Sequence, residues 1–218
     1  MGAIGKMGPR KAFGAAALWA ALAVAAAAPA GAQDVENGER LFHLCANCHG
    51  GEGQGAQETF APSIAGLPAW YVENQLRGFR QGYRGQHFDD VTGMRMRPMA
   101  LWLEGDEEIR DVAAYVASLP PADPARTLDG DPARGQALYA PCIACHGPEG
   151  KGNQALNAPP LTGVSDWYAL TQLQNFKAGI RGAKPGDATG ALMRPMAMTL
   201  PDPQAMRDVI AYVMTLGR

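Results

Sequence analysis

All four cysteines of this 218-residue chain fall in two short runs, Cys45-Ala46-Asn47-Cys48-His49 and Cys142-Ile143-Ala144-Cys145-His146. Two thiols three positions apart can each form a thioether to a vinyl group of one haem, and the adjoining histidine then reaches the iron. The runs therefore read as two covalent haem c attachment sequences. Zinc is a poor rival, because 94 positions separate Cys48 from Cys142 and a histidine follows each pair, unlike the usual four-ligand zinc spacings. A thioredoxin-like dithiol would need one such motif between a strand and a helix. Two structural disulfides would leave both histidines without a purpose.

Each iron needs a second axial ligand. Outside the motifs the histidines are His43 and His87, whose counterparts 97 residues on are Ala140 and Lys184, whereas Met96 and Met99 recur as Met193 and Met196. Methionine thus satisfies both copies alike, and a thioether ligand favours ferrous iron and raises the potential. At least one methionine of each pair is expected only to fill space. Both pairs are expected in loops just before the final helix of their copy.

Other matched residues surround these. The backbone carbonyls of Pro62 and Pro159 either hold the second ring nitrogen of His49 and His146 or belong to ordinary turns. Trp70, Tyr71, Phe79, Trp167, Tyr168 and Phe176 are expected to line the haem crevices by packing. Arg84 and Arg181 are either partners of haem propionates or solvated surface side chains.

The elements that must position these residues come in duplicate. At an offset of 97, Trp70-Tyr71, Gln75-Leu76, Arg84-Gly85 and Met96-Arg97-Pro98-Met99-Ala100 return as Trp167-Tyr168, Gln172-Leu173, Arg181-Gly182 and Met193-Arg194-Pro195-Met196-Ala197. Two copies of this length mean two domains and not a solenoid. Helical spacing predicts helices over Asp34–Cys45 and Asp131–Cys142, Tyr71–Gly82 and Tyr168–Gly179, and Asp106–Leu119, with a last helix capped by Asp202 and opened by Pro203. No alternating strand pattern competes, so the fold class is all-α. The proline-rich run from Pro120 to Pro132 cannot continue a helix. It divides an N-terminal domain, 33–119, from a C-terminal domain, 133–218, with 120–132 as linker.

Residues 1–32 read as a removable export signal: Lys6, Arg10 and Lys11 precede an apolar run from Phe13 to Ala28 and the small-residue site Ala30-Gly31-Ala32. Without this leader the net charge is −5, shared as −6 to Pro120 and +1 beyond it. An acidic chain argues against nucleic acid, and the asymmetry suits steering toward a charged partner.

Together the twin CxxCH motifs, the segments Pro62–Gly66 and Pro159–Gly163, the Tyr-x₃-Gln-Leu-x₂-Phe helices and the methionine stretches leading into helices with Ala-Tyr resemble the dihaem cytochrome c₄ family. The resemblance spans essentially all of the chain after the leader. It implies two tandem class I cytochrome c domains, each wrapped around one covalent haem, with the haems facing a shared interface. It also selects Met96 and Met193 as iron ligands, because each stands seven residues before the leucine, Leu103 or Leu200, that opens the last helix. The function implied is a periplasmic electron carrier between a membrane quinol-oxidising complex or dehydrogenase and a terminal oxidase or other acceptor, with redox proteins as partners and no small-molecule substrate. An electron-transfer subunit of a sulfide-, thiosulfate- or alcohol-oxidising dehydrogenase is the alternative. A dihaem peroxidase is disfavoured, since matched methionines leave no open coordination position.

Overall fold

The computed structural model describes Met1, Gly2 and residues 33–216; the leader expected over 1–32 otherwise lies outside the described residues. Helix α1, Val35–His49, starts where the Asp34 carboxylate accepts the Asn37 amide, the capping role that short acidic side chains fill best. It is followed by α2, Ala69–Arg80, α3, Val91–Trp102, and α4, Asp106–Ser118. The second copy runs α5, Pro132–Leu138, then α6, Ile143–His146, α7, Asp166–Lys177, α8, Ala188–Met198, and α9, Pro203–Val213. Among the described residues there are no strands; the isolated bridges Ala56–Ala61 and Asn153–Ala158 close matching loops after each histidine.

Each copy has its own apolar centre. In the first, Leu41 and Phe42 of α1 meet Leu76 and Phe79 of α2 and Ile109, Val112 and Val116 of α4. In the second, Tyr139 packs with Leu200, Met206, Val209 and Ile210. First and last helices of a copy cross closely because Gly38 faces the Asp111 carbonyl and Gly135 faces that of Asp208.

Two sequence expectations need correction. The methionine stretches are helices, α3 and α8, and not loops: Asp90 and Asp187 cap them through the amides of Gly93 and Gly190, and Pro98 and Pro195 are carried inside. The helix expected over Asp131–Cys142 is broken. Pro141 stands where the first copy has Leu44, and a proline has no amide to donate to the preceding turn. The chain passes through a 3₁₀ turn, Ala140–Cys142, before α6 begins. Asp202 caps α9 with Pro203 at its first position, as expected.

The segment between the copies is fastened down. Ala122 donates to Ala65, Arg126 to the Met214 carbonyl, and the Thr127 and Leu128 amides both donate to the Asp166 carboxylate.

Candidate haem sites

In both copies the motif histidine ends a helix and is buried. Nδ1 of His49 lies 2.8 Å from the Pro62 carbonyl and Nδ1 of His146 lies 2.8 Å from that of Pro159. A carbonyl can only accept, so Nδ1 carries the proton in each ring and Nε2 keeps its lone pair for a metal. Burial lowers the pKa of both imidazoles, against the pull of the carbonyl, which keeps each ring neutral. Of the two readings of Pro62 and Pro159, the carbonyl–histidine bond is the one observed.

The loop that delivers this carbonyl depends on glycine. Gly55 has φ +82°, and a Cβ there would stand 2.6 Å from the Pro62 carbonyl carbon; Gly152, at φ +77°, meets Pro159 in the same way. The amides of Gly55 and Gly152 also donate to the His49 and His146 carbonyls, at 2.7 and 2.9 Å.

Cys45 and Cys142 are half-buried, Cys48 and Cys145 exposed. Burial pushes the Cys45 thiol up to about 11 and raises Cys142 as well. These positions therefore favour an uncharged sulfur, which a thioether supplies. Arg80 Nη1, Arg84 Nε, Arg97 Nε, Arg194 Nε and Gln172 Nε2 are buried without a hydrogen-bond partner among the described residues. Five such donors fit a group bearing carboxylates, as the haem propionates do.

Met96 is half-buried on α3 and packs against the first apolar centre. Its twin Met193 is half-buried on α8, while Met99 and Met196 are 36% and 37% exposed.

The arginines sit where sequence reasoning had not placed them. Arg84 is buried and Arg181 half-buried, at the junction of the two copies, so the solvated-surface reading does not hold. Arg84 donates to Gln75 Oε1 of its own copy at 2.8 Å and to Gln172 Oε1 of the other at 3.3 Å. Arg181 donates to Gln172 Oε1 and Gln75 Oε1, both at 2.8 Å. The four side chains close a ring. Each guanidinium also lies over a phenylalanine of its own copy, Arg84 over Phe79 at 4.2 Å and Arg181 over Phe176 at 4.5 Å.

Tyr168 accepts from Arg84 at 3.0 Å and Tyr71 pairs with Arg181, so these two tyrosines bind across the junction. Burial works against the charge of Arg84, but Tyr168, Tyr71 and the capping carboxylate of Asp90 outweigh it and raise its pKa. Trp70 and Trp167 stand edge-on to these tyrosines. Phe79 belongs to the first apolar centre.

Sequence reasoning assigned no role to Gln75 or Gln172, nor to Ser63, whose amide and hydroxyl reach Ser165 Oγ and the Gly163 carbonyl of the other copy. The signal was available for the glutamines, which recur at the repeat offset nine residues before the matched arginines.

The family model described as Cytochrome c matches residues 35–120 and again 132–217. A thiosulfate dehydrogenase electron acceptor of Stutzerimonas stutzeri is 34% identical over 180 residues, 78% of this chain and 78% of that protein. Cytochrome c4 of Azotobacter vinelandii is 30% identical over 179 residues, 78% of this chain and 83% of that one. The crystal structure of reduced recombinant cytochrome c4 from Pseudomonas stutzeri matches with a TM-score of 0.68 at 28% identity, covering 85% of this chain and all of that one.

Proposed function

From the premise that this chain belongs to the cytochrome c family, and within it to the dihaem cytochrome c4 group, we propose that it is a periplasmic carrier between a membrane quinol-oxidising complex or a dehydrogenase and a terminal oxidase. It holds two covalently bound haem c groups and transfers electrons to and from redox partners. Residues 33–119 and 133–218 are its two haem domains, joined by 120–132. No helix among the described residues is long and apolar enough to cross a membrane, which suits a carrier that leaves its donor. The relative named as the electron acceptor of a thiosulfate dehydrogenase supports a dehydrogenase as one donor.

The observation that carries this reading is the paired geometry at His49 and His146, each ring held by a proline carbonyl with Nε2 left as the ligand atom. Haem c, when bound, supplies a one-electron couple at iron. Cys45, Cys48, Cys142 and Cys145 tether it, His49 and His146 are the first axial ligands, and Met96 and Met193 the second. Tyr71, Tyr168, Arg84 and Arg181 orient the propionate side, and Trp70 and Trp167 pack beside them. The arginine–glutamine ring holds the two copies in one arrangement, so little of the protein has to reorganise when charge moves.

The test is direct. A pyridine haemochrome assay should give two haems per chain, and quinol-fed membranes should reduce the protein and oxygen reoxidise it through the terminal oxidase. One haem per chain, or no reduction by quinol-fed or dehydrogenase-containing extracts, overturns the proposal.

A further inference from the structure

An internal duplication supplies its own control, since a surface feature present in one copy alone is not demanded by haem binding. The α3–α4 corner of the first copy has such a feature. Leu101 and Trp102 are 48% and 52% exposed, and the next turns place Glu104 and Glu107 in solvent beside them. Over residues 101–110 there are four carboxylates and one arginine, whereas the matching residues 198–207 hold one of each. Leu101 is matched by Met198, itself 63% exposed, so the difference lies in the indole and the charge: Thr199 stands for Trp102, and Pro201 and Gln204 for Glu104 and Glu107. In the second copy Lys177, the counterpart of Arg80, donates to the Leu200 and Pro201 carbonyls.

We propose that this corner of the first copy, the exposed Trp102 and Leu101 rimmed by Glu104 and Glu107, is the docking surface for a redox protein with a basic face. An exposed tryptophan with an apolar neighbour is the kind of centre on which small interfaces concentrate their energy. A charged rim of one sign raises the encounter rate and selects a partner of the opposite sign. Two of the four carboxylates are occupied within the chain: Asp106 faces Arg77 Nε at 3.5 Å and Glu108 accepts the Glu104 amide. Among the described residues no cation pairs with the carboxylates of Glu104 and Glu107, which are left to meet those of a partner. The first copy is also the one that carries the −6 of the chain's asymmetric charge. This surface would give the two haems different partners.

The inference rests on the electron-transfer reading above, and the test separates the two. The full holoprotein is mixed in stopped flow with a small basic monohaem cytochrome c at several ionic strengths, and separately with dithionite. Trp102→Thr and Glu104→Gln/Glu107→Gln should each slow the protein–protein rate about tenfold at low salt, and the glutamate pair should flatten its salt dependence. Reduction by dithionite and the optical spectrum should stay unchanged. Glu36→Gln/Glu39→Gln, an equal charge change on the exposed side of α1, should slow the rate less than twofold. Wild-type rates in the corner variants, an equal loss in the α1 control, or a shifted spectrum in Trp102→Thr would overturn the docking surface while leaving the carrier reading intact. A wild-type protein that dithionite fails to reduce would overturn the carrier reading itself.

Discussion

Replacing Gly38 with alanine puts the α1–α4 crossing to a quantitative test. A Cβ at this position would stand 2.6 Å from the Asp111 carbonyl carbon and 2.9 Å from Tyr115 Cβ, where ordinary contact begins at 3.4 Å. Both obstacles belong to α4, and the nearer one is backbone, so no rotamer change relieves the clash. The Asp111 carbonyl oxygen lies nearer still, so helix α1 must withdraw by about 1 Å or more, and a gap of about 0.5–1 Å already forfeits about a quarter to a half of the dispersion across it. Leu41, Phe42, Ile109, Val112 and Val116 lie in that layer. Overpacking of this kind costs about 3 kcal/mol, and the better helix propensity of alanine offsets about 1 kcal/mol. The net loss of about 2 kcal/mol should lower the Tm by roughly 8–16 °C for a domain of this size. The assay is thermal unfolding of the oxidised holoprotein followed by circular dichroism. Gly135→Ala should behave alike, since its Cβ would meet Asp208 and Tyr212 at the same two distances. A Tm within about 2 °C of wild type, outside the range that loss implies, would refute the argument that these glycines set how closely the helices approach.

Other outcomes are expected. Met96→Ala and Met193→Ala should each remove the methionine-to-iron charge-transfer band of one haem and leave the other low spin, while Met99→Ala and Met196→Ala leave both, as magnetic circular dichroism can read. Gln75→Leu removes an acceptor shared by two guanidiniums, and at about 1.5–3 kcal/mol for each charge-assisted bond should lower the Tm by more than 10 °C in a melt of the full holoprotein. For Asp208, the Asp131 amide and then the Gln204 side chain and nearby arginines outweigh burial and hold the carboxyl below its usual range. A depressed folded pKa means stability that is present above the unfolded value, near about 4, and lost as pH falls through the folded one. Asp208→Asn should therefore lower the Tm at pH 7 and differ little from wild type near pH 2.

The chemistry of the sites was legible because it is local. A cysteine pair, its histidine and the proline thirteen residues on lie within one short stretch of chain, so their meeting follows from spacing, and duplication doubled every signal. The methionine helices were hidden because Gly93 and Pro98, like Gly190 and Pro195, are poor helix formers; capping by Asp90 and Asp187 and packing of α3 on α2 and α8 on α7 override that propensity. The break at Pro141 was visible in the residue itself, but the matching of the copies masked it. What spacing could not reach was the junction. Arg84 finds Gln172 across 88 positions and Arg181 finds Gln75 across 106. No local pattern says which face of one copy meets the other, so a buried, paired arginine and a surface one read alike.

That junction has an evolutionary meaning. Gln172 and Arg181 are the repeat counterparts of Gln75 and Arg84, so each copy offers the other the same pair of residues and receives the same pair in return. This is the contact pattern of a twofold homodimer, in which one patch is its own complement. A single-haem chain bearing only Gln and Arg at these places could close the same ring with a second molecule of itself, before any linker existed. Gene fusion would then have made permanent an association that mass action already favoured. It also freed the two halves to diverge, as they have at Ser63 and Ser165, whose repeat partners are Pro160 and Pro68, while any change to the ring must still be answered in both.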